Sequence, residues 1–257
     1  GLMFKFLQIR RRSSRRTWIG VLFWWTFVPS IVCRSVLWMF YRCRWYGYEH
    51  VPRRGPALFI SNHQSHFDPV LLGVILRDRC PRALARETLR TDSKFWGWMI
   101  GTAYDSIWLS QDRSDPGAMK VALNELAEGR ITMIYPEGAR TRDGSIQPFK
   151  RGAFLLIKRG KAPVVPAAIE GAHDVWPRGQ SKPSLRGRIK VKLGEPIQAE
   201  ELIEMGAEAA LTLIHERIET MRLELREQMR RETGGSYPPP GPGDQDGRTS
   251  DQPVVES

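Results

Sequence analysis

Residues 61–69 read SNHQSHFDP and follow the short apolar run ALFI. His63, His66 and Asp68 fall close together in this stretch. Three readings fit these residue types: metal ligation, a general base with an orienting carboxylate, or a polar loop leaving a strand. Pro69 suits an early helical position, which places the stretch where a strand gives way to a helix. Residues five apart do not stack on one helical face, but His63 on the turn and Asp68 in the first helical turn can fold back on each other. The carboxylate would then fix one imidazole nitrogen as a donor and leave the other as an acceptor. An imidazole that titrates near neutrality is suited to take a proton in that state.

A second group of candidates lies in YPEGARTRDGSIQPFKRGAF, residues 135–154. After the apolar run ITMIY, Pro136 and Gly138 make a turn that presents Glu137 and Arg140, with Arg142, Lys150 and Arg151 close behind. Arginine can clamp a phosphate through two parallel hydrogen bonds, and a nearby carboxylate can accept from hydroxyls or orient the guanidinium. A solvated charged loop is the plainer reading of the same residues. A metal-dependent hydrolase would use His63, His66 and Asp68 with His173 and Asp174, but their spacing follows no metal-site pattern. Cys33, Cys43 and Cys80 show no paired spacing either, and reduced thiols in a cytoplasmic compartment are the expectation.

The elements that must position these residues alternate between strand-like and helix-like runs after Pro52, the signature of an α/β domain. The strand candidates are 57–61, 82–86, 106–110, 131–135, 164–170 and 188–194. The helix candidates between them are PVLLGVIL, SKFWGWMIG, PGAMKVALNELAEG and RGAFLLIKRG. A mostly parallel or mixed sheet flanked by helices is the simplest outcome. From Ala199 the chain turns helical, and Leu211, Ile214, Ile218, Met221, Leu225 and Met229 form one apolar face that should pack on the sheet. Residues 234–257, rich in Pro, Gly, Ser and Asp, read as a disordered tail.

With 257 residues, 41% of them hydrophobic, the chain can bury a sizeable core. Its formal charge of +11 is unevenly placed. Residues 1–54 carry eleven Lys and Arg against the single acid Glu49, so the rest is nearly neutral. The basic residues bracket TWIGVLFWWTFVPSIVCRSVLWMFYRCRW, a mixture of Trp, Arg and aliphatic residues that suits a membrane interface and not a nucleic-acid groove. Residues 1–50 are therefore expected to form a membrane-associated helical hairpin hinged near Pro29, with both ends cytoplasmic; a single spanning helix is the alternative. Residues 51–233 would form the catalytic domain.

NHQSHFD, then YPEGARTRDG about seventy residues later, then APVVPAAIEG, together resemble the lysophospholipid acyltransferase family, of the 1-acylglycerol-3-phosphate O-acyltransferase type. Asn62, His63, Ser65 and Asp68 match the first family motif, and Tyr135 to Arg140 correspond to its Phe-Pro-Glu-Gly-Thr-Arg motif. SIWLSQDR resembles the second block and ends at Asp112 and Arg113. The resemblance covers roughly residues 50–195 and implies a glycerolphosphate acyltransferase-like α/β fold. It implies transfer of a fatty acyl group from acyl-CoA or acyl carrier protein to a lysophospholipid hydroxyl, giving phosphatidic acid when the acceptor is 1-acylglycerol 3-phosphate. Glycerol 3-phosphate or a lyso-aminolipid are alternative acceptors. His63 is implied as the general base and Asp68 as its orienting partner. Glu137, Gly138 and Arg140 are implied as acceptor-binding residues, with Arg113 as a helper, and no metal or redox cofactor is called for. Ala139 in place of Thr and Tyr135 in place of Phe depart from the motif and bear on the acceptor; His66 falls at a variable position.

Overall fold

Three apolar runs become adjacent parallel strands at the centre of one sheet. They are β2 (Ala57–Ser61), β5 (Ile131–Ile134) and β7 (Val164–Glu170), and every residue in them is buried. Helices cover both faces, which is why these strands read as continuous apolar runs and not as alternating ones. The structure, a computed structural model, describes residues 28–76, 82–86, 107–109, 116–244 and 255–256. The sheet has seven strands in the order β1-β8-β7-β2-β5-β3-β4, completed by β1 (Arg44–Tyr46), β3 (Arg82–Arg86), β4 (Ile107–Leu109) and β8 (Lys190–Leu193). All neighbours pair in parallel except β7 and β8, so the sheet is mixed. Phe149–Lys150 (β6) and Val255–Glu256 (β9) form a separate two-stranded ladder.

The register places Leu58 opposite Val164 on one side and Thr132 on the other. The three central strands thus end together, and the loops that follow them, beginning at Asn62, Tyr135 and Gly171, share one edge. This is the edge at which ligands bind in open α/β sheets. Ala57 and Phe59 point into one core, against helices α1 (Arg34–Tyr41) and α2 (Asp68–Ile75). Leu58 and Ile60 point into the other, with α3 (Pro116–Ala127), α4 (Gly152–Gly160) and the later helices α6 (Ala199–Met205) and α7 (Ala207–Glu232). A short helix, α5 (Ala172–Val175), follows β7. Between them Gly171 takes φ +85°, and a Cβ there would lie 2.1 Å from the Arg188 carbonyl oxygen, so only glycine fits.

The apolar face expected on α7 is buried against the sheet as anticipated. Other parts of the sequence reading need correction. Arg44–Tyr46, taken as membrane-like sequence, forms an edge strand beside β8, because three residues carry too little alternation to be read as a strand. Leu37, Tyr41 and Cys43 are buried in the α2-side core, so α1 packs into the α/β domain itself. Residues 237–244, expected in a disordered tail, are tied to α7: Arg226 donates to Asp244 (2.6 Å) and to the Pro239 carbonyl (3.0 Å), and Arg230 to the Pro238 carbonyl (3.2 Å). Proline and glycine supplied the tight path and the arginines of α7 supplied the attachment. A π-helical turn, Val28–Cys33, contains Pro29 and leads into α1. The rest of the expected hairpin, the expected helix at residues 93–101 and Cys80 lie outside the described residues. Among those described, no helix is long and apolar enough to cross a membrane.

Asn62 fastens the ends of β2 and β7. Its side-chain amide donates to the Ile169 carbonyl and its carbonyl accepts from the Ile169 N–H, both at 2.8 Å. Asn62→Ala leaves both buried backbone groups of Ile169 unpaired, and is expected to destabilise the fold by about 2 kcal/mol. A lower urea midpoint at unchanged slope is the expected readout. An unchanged midpoint would mean that the strand ends keep their spacing without this amide.

Candidate active site

His63 sits two residues beyond β2, and its Nδ1 lies 2.7 Å from Asp68 Oδ2. The same carboxylate oxygen accepts the backbone N–H groups of Gln64 (2.6 Å) and Ser65 (2.8 Å). Asp68 opens α2 and is fully buried, so a carboxylate, three donors and a helix N-terminus are gathered at one point. An ionised carboxylate can only accept, which assigns the hydrogen to Nδ1 of His63 and leaves Nε2 with its lone pair. The imidazole keeps about a fifth of its surface open, with 21% of the side chain exposed. One ring face stacks on Tyr135, with centroids 4.3 Å apart and planes 19° apart. Geometry of this kind can supply a base, an orienting carboxylate and a wall that fixes the ring plane.

The loop after β5 closes over the back of this site. Glu137 accepts the His63 N–H at 2.6 Å and the Gln147 N–H at 2.8 Å, one on each carboxylate oxygen. It is buried, and burial pushes its carboxyl up to about 8 against the pull of those two donors, which favour the charged form. Glu137 was expected to face the acceptor; the structure turns it toward the protein, where it holds the backbone of His63. The Thr141 N–H donates to the His63 carbonyl at 2.8 Å, a second tie between the loops. Gly138 takes φ +72° in the turn, and the Lys150 side chain lies over it, 3.0 Å from where a Cβ would stand. Arg140 is half-buried beside His66. Arg113 lies outside the described residues.

Two residues with clear roles here escaped the sequence reading. Gln64 is buried, donating to the Gly144 carbonyl (3.3 Å) and to Glu170 (3.2 Å) and accepting from the His173 N–H (3.3 Å). Trp176 accepts from Ser65 Oγ at its carbonyl (3.1 Å) and meets the His66 ring at 4.8 Å. Neither had a signal in spacing, since these partners lie eighty or more residues away. His173 and Asp174 fall on α5, and among the described residues no three of His, Cys, Asp and Glu are arranged to hold a metal ion. A cavity of about 570 Å³ opens elsewhere, between Arg34, Trp38, Arg44, Trp45, Tyr46 and Glu232.

Residues 42–170, half of the chain, match the model of the Acyltransferase family. The chain belongs to the Acyltransferase family. Among curated proteins it is similar to 1-acyl-sn-glycerol-3-phosphate acyltransferase alpha of Mus musculus, 31% identical over 165 residues, which is 61% of this chain and 55% of that one. It is also similar to 1-acyl-sn-glycerol-3-phosphate acyltransferase of Bacillus subtilis (strain 168), 28% identical over 187 residues, or 72% of this chain and 88% of that one. The chain spans about half the length of the first of these and most of the second. Among solved structures it resembles the 1-acyl-sn-glycerophosphate (LPA) acyltransferase PlsC from Thermotoga maritima, with a TM-score of 0.66 and 23% identity, covering 86% of this chain and 87% of that one. That likeness places this acyltransferase-family chain in the same α/β fold.

His66 gives the site a pH signature. Burial, then the neighbouring Arg140 and His63, hold its imidazole down at about 4. The unfolded chain, where histidine titrates near 6.5, therefore binds more protons than the folded one between those values. The stability that His66 contributes is present above about 6.5 and is lost as pH falls toward 4. His66→Gln should flatten the acid side of the stability curve across that window, measured by urea unfolding at stepped pH. An identical slope in the variant would place the responsible group elsewhere.

Proposed function

We propose that this acyltransferase-family protein transfers a fatty acyl group from a thioester, acyl-CoA or acyl carrier protein, to the free hydroxyl of 1-acylglycerol 3-phosphate, giving phosphatidic acid. The observation that carries the reading is the 2.7 Å contact of His63 with buried Asp68, which leaves Nε2 as an open base at the ligand-binding edge of the sheet. The names of the similar mouse and Bacillus subtilis proteins point to the same reaction.

In this mechanism Nε2 of His63 takes the proton of the acceptor hydroxyl as its oxygen bonds to the thioester carbonyl carbon. The tetrahedral adduct collapses, the carbon–sulfur bond breaks, and the departing sulfur takes the proton from the imidazolium. Asp68 keeps the ring in the productive tautomer and offsets its transient positive charge, the logic of a serine hydrolase triad with the substrate as nucleophile. Every step is a proton or acyl transfer, so no metal or redox group is called for. Arg140 binds the acceptor phosphate, Glu137 and Gly138 shape the turn that carries it, and Arg113 assists. Ala139, which lacks the hydroxyl usual at this motif position, keeps glycerol 3-phosphate and lyso-aminolipids as alternative acceptors.

The acceptor resides in a membrane surface, and the basic, aromatic N-terminal segment attaches the protein there, on the cytoplasmic face. Supporting this, Trp38 and Met39 on α1 are 57% and 62% exposed, beside Arg34 and Arg44. Arg34 also stacks over the Trp45 ring at 5.1 Å, an arrangement that keeps a charge next to an apolar anchor.

Purified full-length protein given lysophosphatidic acid and an acyl thioester should release free thiol and form phosphatidic acid, with activity retained in EDTA. His63→Ala should lower turnover by roughly 10²- to 10⁴-fold, the usual share of base catalysis, and Asp68→Asn should lower it through loss of the ring's charge partner. Arg140→Lys should raise the KM for phosphorylated acceptors, because an ammonium cannot form the two-pronged contact. Parental turnover by His63→Ala would sink the mechanism. At the membrane, Arg34→Ala with Arg44→Ala should weaken binding to anionic vesicles by about 1 kcal/mol per residue and leave binding to neutral vesicles unchanged.

A further inference from the structure

The amide of Gln64 and the carboxylate of Glu170 meet at the point where the loop carrying His63 touches the rest of the domain. We infer that Gln64 and Glu170 are positioning residues for the His63–Asp68 pair, with the buried guanidinium groups of Arg222 and Arg226 as the fixed counter-charges that hold Glu170 in place. The inference rests on the reading of His63 as the base.

Gln64 is 1% exposed and joins three segments through its side chain, at Gly144, Glu170 and His173, while its backbone N–H donates to Asp68 Oδ2 at 2.6 Å. That oxygen is also the acceptor for His63 Nδ1. A shift of Gln64 therefore moves a donor of the carboxylate that sets the histidine ring. Glu170, the last residue of β7, is likewise 1% exposed. Its Oε2 accepts from Gln64 at 3.2 Å and from Arg222 at 2.9 Å, and its Oε1 from Arg226 at 2.6 Å.

The two arginines are themselves fixed. Arg222 is fully buried and grips Glu219 with Nε and Nη2 (2.8 and 2.7 Å). Arg226 donates to Asp244 at 2.6 Å and to the Pro239 carbonyl at 3.0 Å, and lies 3.5 Å from Asp174. Glu170 thus has no freedom to follow Gln64 and is fixed from the far side. A chain of charge-assisted contacts runs from the C-terminal segment, through α7 and the end of β7, to the loop of the base. An arrangement needed only for stability could end at Glu170; this one continues to Gln64, which adjoins His63 and donates to Asp68.

The test uses the full-length protein on mixed vesicles containing lysophosphatidic acid. Gln64→Leu keeps the side-chain volume and leaves the Glu170–Arg222–Arg226 contacts intact, so it should fold. Its kcat should fall by up to roughly 10²-fold, as for a small misplacement of a reacting group, with the KM for both substrates little changed. The acid limb of the kcat/KM profile should move, and the downfield proton resonance of His63 Nδ1–H should shift. Gln64→Asn, which restores a shorter amide, should recover part of kcat. Glu170→Gln should lower kcat, and adding Gln64→Leu to it should cause little further loss, since both act through one contact. A Gln64→Leu enzyme with parental kcat and an unmoved His63 resonance would overturn the inference, as would multiplicative losses in the double variant. Should His63→Ala retain activity, the reading of the base fails first, and the Gln64 result is then judged on the resonance alone.

Discussion

A single oxygen, Oδ2 of Asp68, receives three N–H groups within 2.8 Å: the ring of His63 and the backbones of Gln64 and Ser65. Charge-assisted bonds to a buried acceptor are stronger than neutral ones, and removing the acceptor would strand all three donors together. The loop between β2 and α2 lacks a regular backbone ladder, so these three bonds set its inner shape, while Asn62, His63, Gln64 and Ser65 tie it to the segments around it. The position of the imidazole therefore follows from the position of one carboxylate, which follows from the start of α2. That start is fixed in turn by the packing of Leu71, Leu72 and Ile75 into the core.

Much of this was legible in the sequence because the relevant signals are local. ALFIS and VVPAAIE coincide with β2 and β7, since a strand covered on both faces announces itself as an apolar run, and RALAR coincides with β3. The five-residue interval from His63 to Asp68 is also local, and the expected return of the turn onto the helix start is what the structure contains. Glu137 was placed in the right loop but given the wrong direction: chain spacing says which turn a carboxylate occupies and nothing about whether it faces solvent or a backbone N–H. Gln64, Tyr135 and Glu170 acquire their roles from contacts between distant segments, which no interval in the sequence records.

Helix α7 holds an intermediate case. His215, Glu219, Arg222 and Arg226 are buried and recur at helical spacing beside the apolar face that was recognised. A second stripe of polar residues at that period is compatible with a buried polar seam, but charged residues on helices are ordinarily solvated, so the period alone does not mark it as buried. The seam is not an obvious source of stability, because desolvating Glu170, Arg222 and Glu219 offsets most of their mutual attraction. What it supplies is direction: one bond from each of two arginines, on opposite carboxylate oxygens, fixes the angle of β7's last residue more narrowly than apolar packing would.

The order of these parts along the chain has a consequence for biosynthesis. The loop of residues 62–68 leaves the ribosome well before Arg222, Arg226 and Asp244, which complete its support. At about 5–20 residues per second, the interval between them is on the order of ten to thirty seconds. Throughout that time Glu170, once made, has no arginine to face, and β2 gains its two sheet neighbours only after long stretches of chain have been added. Until those residues follow, the histidine loop of a growing chain lacks its far-side support, and the competence of the site would wait on the synthesis of α7 and the segment behind it.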